Sequence, residues 1–153
     1  MQKTKIEGRA GLEALIGKPL PAGPWHKLSF EEIVAFADAT GDHQWIHVDR
    51  ERALRESPFG APIAHGYFTL SRIAGLFFEL VDVTGFPAVL NYGLNKVRFP
   101  APMKEGASYR LVPMVESVTE VKGGVEVVFK NTIELEGEAK PTCVAECVFR
   151  YLG

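Results

Sequence analysis

An aspartate and a histidine five positions apart, Asp42 and His47, stand in the run Gly41-Asp42-His43-Gln44-Trp45-Ile46-His47-Val48-Asp49. Eighteen residues beyond His47 comes His65-Gly66-Tyr67-Phe68-Thr69-Leu70-Ser71. A carboxylate and an imidazole on one loop can hydrogen-bond the same water. One group takes its proton as it attacks, and the other helps deliver a proton to the neighbouring atom. A helix beginning at His65-Gly66 adds backbone N–H groups without intrahelical acceptors, which stabilise negative charge on a carbonyl oxygen. Gly66, having no side chain, lets the backbone come close to a ligand. Acid, imidazole and oxyanion site together suit proton chemistry beside a thioester carbonyl. Each piece also has a purely structural reading: Asp42 as a turn or helix cap, His47 as a hydrogen-bonded core histidine, Gly66 as a packing glycine.

A metal reading competes for the same segment. His43 and His47 are four apart, and on a helix both would face one ion. The zinc-protease pattern needs a glutamate directly after the first histidine, where this chain has Gln44, and no third ligand stands nearby. No metal is therefore expected. Trp45 and Ile46 read as pocket or core residues. Arg50, Arg52 and Arg55 read as a solvated helix face.

The surrounding elements must hold this loop in place. Residues 11–24 carry Gly11, Gly17, Pro19, Pro21, Gly23 and Pro24, and are expected to form a loop leading into the domain. A short strand is expected near Trp25 to Leu28. Ser29-Phe30-Glu31-Glu32 matches a capping box, and Phe30, Ile33, Val34, Phe36 and Ala37 fall at helical spacing. Gly41, placed to take a left-handed conformation, ends that helix, so Asp42 begins a loop. A short charged helix follows from Asp49 to Glu56. The spacing then predicts a main helix from His65 to about Val83, apolar nearly all round and therefore wrapped by other structure. Leu90 to Phe99, Ser108–Val121, Val125–Glu136 and a final segment with Cys143, Ala145, Cys147, Phe149 and Tyr151 on one face read as strands. Gly123-Gly124 is the expected hairpin turn. Long antiparallel strands after one apolar helix suggest an α+β domain in which a sheet curls around the helix. Its uncovered sheet face and edge make a homodimer the expected state.

Length and composition bound the function. The 153 residues fit one domain, and 46% apolar with 24% charged residues is ordinary for a soluble globular protein. A net charge of −2 gives no sign of nucleic acid or of an anionic membrane surface as partner. Cys143 and Cys147 would point the same way on one strand, too far apart for easy bridging, and read as buried free thiols. Met1 to Arg9 lacks the apolar stretch of a signal peptide, and Tyr67 to Val83 is too short and too charged to span a bilayer comfortably. A cytoplasmic protein is the expectation.

Gly41-Asp42-x-x-x-Ile46-His47-x-Asp49, Pro62-Ile63-Ala64-His65-Gly66 with Ser71, and Asn91 through Pro102 resemble the MaoC-like dehydratases, which include the (R)-specific enoyl-CoA hydratases. The resemblance runs from about Ser29 to the C-terminus. It implies a single hot-dog domain over residues 25–153, an antiparallel sheet wrapped around a long central helix, preceded by an extension over 1–24. It further implies reversible hydration of a trans-2-enoyl-CoA to a 3-hydroxyacyl thioester, no cofactor, and pairing of the chain with itself. The family's catalytic aspartate and histidine correspond to Asp42 and His47, and its oxyanion N–H to Gly66. Gln44, Trp45 and Tyr67 are expected to contact substrate. Many members have asparagine-proline where this chain has Gln44-Trp45, which puts substrate preference in doubt. A serine some hydratases carry on the central helix corresponds to Ala74, with Ser71 one turn earlier. A hot-dog thioesterase and a non-catalytic acyl-thioester-binding subunit remain as alternatives.

Overall fold

The computed structural model describes residues 2–153. Its centre is one apolar helix against one sheet. Ser29 opens the first long helix, α2 (Phe30–Thr40), by accepting the Glu32 N–H, while the Glu32 carboxylate accepts the Ser29 N–H. Such a box satisfies two of the donors that every helix start leaves free. The single-turn α3 (Trp45–Val48) and the charged α4 (Arg50–Glu56) follow, and Asp49 caps α4 through the Arg52 N–H. The central helix α5 (Gly66–Leu80) then crosses the molecule.

Five strands make the main sheet: β2 (His26–Lys27), β4 (Ala88–Arg98), β5 (Ser108–Val121), β6 (Gly124–Leu135) and β7 (Cys143–Leu152). Their order is β2-β5-β6-β7-β4, and every pairing is antiparallel. The period of two along β5 to β7 sends Leu111, Val115, Val127, Phe129, Cys147 and Phe149 to one face. All of these are buried against Phe68, Ile73, Leu76, Phe77 and Leu80 of α5. Phe77 is the keystone, with its ring edge-on to Phe129 at 4.6 Å and to Phe149 at 5.5 Å. Edge-to-face pairs of this kind add to the stabilisation that burial itself gives. The architecture is the curled antiparallel sheet around a central helix that the strand pattern and the resemblance both led one to expect. Cys143 and Cys147 are buried, free and on one face, as expected.

Three expectations need correction. The central helix stops at Leu80, three residues short of the expected end. Val81–Thr84 is instead a strand, β3, paired in parallel with β1 (Thr4–Glu7) from Thr4↔Val81 to Glu7↔Thr84. Val81, Val83 and Thr84 are β-branched and favour extended backbone once a partner strand exists, and that partner lies far away in sequence. The stretch 11–24 is not a loose lead-in. Gly11 to Glu13 complete a short helix, α1 (Gly8–Glu13), and Leu12 is fully buried. Beyond it, the N–H groups of Gly17, Leu20 and Gly23 donate to the carbonyls of Val115, Pro113 and Leu111, so the segment lies along the outer part of β5. Its prolines lack the N–H a regular ladder needs, which is why it pairs only intermittently. The hairpin turn is also one residue earlier than expected: Lys122-Gly123 make it, and Gly124 already faces Val121 across the ladder.

At the other end of the sheet, β4 pairs with β7 alone. Its register shifts between Asn91 and Gly93 and again between Leu94 and Val97, so the strand carries bulges. Leu90, Tyr92 and Leu94 on this strand, Phe99 just beyond it, and Tyr67 and Phe78 on α5 are exposed. Among the described residues, no helix is long and apolar enough to cross a membrane.

Candidate active site

Gly41 makes the site possible by ending α2 with φ +82°, its N–H bonded to Ala37 O at 2.8 Å. A left-handed residue reverses the chain sharply and is costly for any side chain but the smallest. Asp42 therefore leaves the helix at once, with its carboxylate on the loop, where Oδ1 accepts the Gln44 N–H at 3.3 Å. The single turn of α3 then swings His47 inward, to 6% exposure.

The hydrogen bonds of His47 assign its tautomer. Nδ1 lies 2.7 Å from Ile63 O, and a carbonyl can only accept, so Nδ1 carries the proton. Nε2 is left with a lone pair. Burial lowers the His47 pKa below its ordinary 6.5, with His65 acting in the same direction; this outweighs the Ile63 bond and the Asp42 charge, which raise it. The ring is thus held neutral and ready to accept.

His65 completes the cluster. It is the residue before α5, with a ring 3.8 Å from that of His47 and 21° from parallel. Its Nε2 lies 2.9 Å from the Asp42 backbone carbonyl and must donate to it. One ligating atom from each of Asp42, His47 and His65 falls within 4.8 Å of the others. Such a triad invites a metal reading, but its geometry does not suit one. Imidazole lone pairs lie in the ring plane, and an ion between two stacked rings would sit outside both planes. His43 does not join them: it is turned back to Asp38 Oδ1 at 2.8 Å, outside α3. The H-x-x-x-H spacing therefore never forms a common helical face.

Beside the cluster, the first turn of α5 presents N–H groups that no side chain caps. An apolar cleft of about 360 Å³ opens next to Gly66, lined by Phe59, Ile63, Thr69, Phe99 and Met103 among others. A Cβ on Gly66 would lie 3.1 Å from Phe99 Cε2, so the glycine lets that ring close over the helix start. Together the loop, α3 and α5 bring Asp42, His47 and Gly66 into one place.

Of the other residues singled out from sequence, the Trp45 ring lies under the Arg52 guanidinium at 4.1 Å. Gln44 contributes its backbone N–H to Asp42, while the residue itself is exposed. Tyr67 is 72% exposed. Ser71 and Ala74 both line a second cavity of about 300 Å³ between α5 and β4, together with Asn91, Leu94 and Cys147. Arg50 pairs with Glu105 and Arg52 with Glu56 on the exposed side of α4. Sequence reasoning missed His65, which was visible only as the first half of a His-Gly dipeptide.

The family MaoC like domain matches residues 12–136 of this chain. The chain belongs to the MaoC-like family. Among relatives, 3-hydroxyacyl-thioester dehydratase Z of Mycobacterium tuberculosis is 46% identical over 148 residues, covering 96% of this chain and 97% of the relative. Two solved structures share the fold. A monoamine oxidase regulatory protein from Archaeoglobus fulgius superposes with a TM-score of 0.77 at 22% identity, covering 99% of this chain and 98% of the other. The R-hydratase PhaJ1 from Pseudomonas aeruginosa does so with 0.73 at 19% identity, covering 90% and 81%. A MaoC-like domain is thus built here around one central helix and a five-stranded sheet, with the loop between α2 and α3 bearing Asp42.

Proposed function

We propose that the chain is a hydro-lyase acting on 3-hydroxyacyl thioesters, an (R)-specific enoyl-CoA hydratase that adds water reversibly to a trans-2-enoyl-CoA. The observation that carries this reading is the tautomer of His47. With Nδ1–H bound to Ile63 O, Nε2 is an acceptor like the Asp42 carboxylate, and a ligating atom of each side chain lies within 4.8 Å of the other, a span that one water can bridge. A water there donates one hydrogen to each and turns its oxygen lone pair toward substrate C3. As the C3–O bond forms, the C2=C3 π pair moves toward the thioester carbonyl. The Gly66 N–H, at the positive end of α5, stabilises the charge that gathers on that oxygen. The proton taken from water by the pair returns to C2, and the carbonyl re-forms. Because acid and base stand on the same side, hydroxyl and hydrogen add to one face of the double bond.

No step draws on a metal or an organic cofactor. The names of the M. tuberculosis relative and of the R-hydratase with the same fold support a thioester substrate and the (R) product. The exposed apolar residues along β4 and α5, with the free edge of β4, support a second copy of this chain as the covering partner. The reading is tested by following loss of the conjugated enoyl absorbance of crotonyl-CoA while a thiol reagent monitors free CoA. Hydration without thiol release is the expected result. Thiol release without hydration would make the site a thioesterase, and binding without turnover would make the chain an acyl-thioester-binding subunit.

A further inference from the structure

His65 is buried to 3% exposure, yet nothing in the hydration scheme uses it. Its position is unusual for a helix-capping residue, since its side chain caps no N–H of α5. Instead it reaches back across 23 residues to the Asp42 carbonyl at 2.9 Å. Its ring lies almost flat on that of His47 at 3.8 Å, and Phe36 of α2 packs against it at 5.0 Å. The next residue in the chain is Gly66, whose N–H heads α5. One imidazole therefore touches the loop that bears the acid, the ring of the base and the helix that bears the oxyanion donor.

With Nε2–H committed to Asp42, His65 Nδ1 holds a lone pair, and this atom is buried with no hydrogen-bond partner. An unpaired buried acceptor is costly, because it has given up its hydrogen bond to water. A side chain kept in place at that cost is doing something the fold alone does not require.

We propose that His65 is a positioning residue: by its Nε2–H bond to Asp42 and its stack on His47, it holds acid, base and the Gly66 N–H in a single geometry. This rests on reading the cluster as the hydration site. Misplacing reacting groups by about 1 Å can cost about 10²-fold in rate, so a fastener between three groups has a measurable value. His65 also bears on the charge of His47. Two stacked imidazoles resist carrying two protons, and His65 is one of the causes that lower the His47 pKa. Asp42 is the other ionisable group acting on His47, and from the side of Ile63 there is only a carbonyl.

Two substitutions separate the contacts. His65→Phe keeps a ring to stack but has no N–H for Asp42. His65→Gln offers an amide N–H near the Nε2 position but no ring. Both are compared with the unaltered chain by thermal melting, by crotonyl-CoA kinetics across pH, and by NMR titration of the His47 ring. In His65→Phe, kcat is expected to fall about 10²-fold with KM changing less than about three-fold, since His65 binds no substrate in this account. His65→Gln is expected to recover about ten-fold of that loss by restoring the donor. In both, the His47 titration moves upward, because the neighbouring imidazole is gone. A folded His65→Phe with unaltered kcat overturns the proposal. So does a loss that is equal in both variants, follows their melting temperatures and leaves the His47 titration unmoved. The NMR arm needs no substrate. If the unaltered chain hydrates no enoyl thioester, the hydratase reading fails, while a moving His47 titration still supports the coupling and an unmoved one overturns it.

Discussion

In the proposed mechanism hydration depends on His47 being neutral, and burial of the ring favours that form. Its folded-state pKa lies below the ordinary 6.5, chiefly through desolvation. The rate is therefore expected to hold through neutral pH and to fall only as pH drops through that lowered value. The acid limb of kcat/KM should lie below 6.5, as read from a pH–rate profile. A rate that instead falls as pH rises through this range would mean that His47 works protonated. The same shift has a consequence for stability. Below 6.5 the unfolded chain binds this proton more readily than the folded one, so stability is fully present above that pH and declines as pH falls toward the folded value. At this scale the sequence was informative where chemistry follows from residue type and spacing. Asp42 and His47 could be named from their types and their place after Gly41. The tautomer could not, because it depends on Ile63 O, sixteen residues away. The role of His65 was hidden for the same reason, its partners being Asp42 and His47 across a loop. The stack of Arg52 on the Trp45 ring was not legible either, since it is made by the next helix.

At the scale of elements, the start of α5 is the vulnerable part. A Cβ on Gly66 would meet the Phe99 ring at 3.1 Å, so one of the two must give by a few tenths of an ångström. Gly66→Ala should push either the Phe99 ring or the first turn outward, moving the N–H that would meet the thioester oxygen. A folded protein with kcat lowered about 10²- to 10³-fold is expected, the loss typical of one oxyanion donor, with melting as the control. An alanine variant with full activity would remove Gly66 from the mechanism. Local signals served the elements well. The capping box at Ser29 and Glu32, the left-handed Gly41 and the alternation of β5 to β7 all appear where spacing put them. The failures share a cause. Val81–Thr84 becomes a strand only because Thr4–Glu7 lies beside it, and residues 17–23 are held only because β5 offers carbonyls. Pairing between segments so far apart leaves little trace in either segment alone.

For the whole molecule, the question is what covers β4 and the outer side of α5. Leu90, Tyr92, Leu94, Phe99, Tyr67 and Phe78 are all exposed, beside a strand edge with unpaired backbone groups. Soluble proteins rarely leave such an edge open, and a symmetric dimer is the commonest way to close it. Leu94→Lys puts a charge into the middle of that surface. It is expected to shift the particle mass in sedimentation from twice the chain mass of 16.8 kDa toward a single chain. A monomer before substitution would contradict the dimer. The fold class and the central helix within a curled sheet could be argued from pattern. The composition of this face could not, since a greasy helix does not say which of its sides meets the sheet of its own chain.

The central claim is that Asp42 and His47 activate one water for addition to an enoyl thioester, and it stands on the aspartate. Asp42→Asn keeps size and a hydrogen-bond acceptor at this exposed loop position but removes the carboxylate base. The deciding measurement is the initial rate of crotonyl-CoA hydration by this variant beside the unaltered chain, at equal melting temperature. A fall of about 10²–10⁴-fold is expected, the range for losing one acid–base group. A rate equal to that of the unaltered chain would contradict the account.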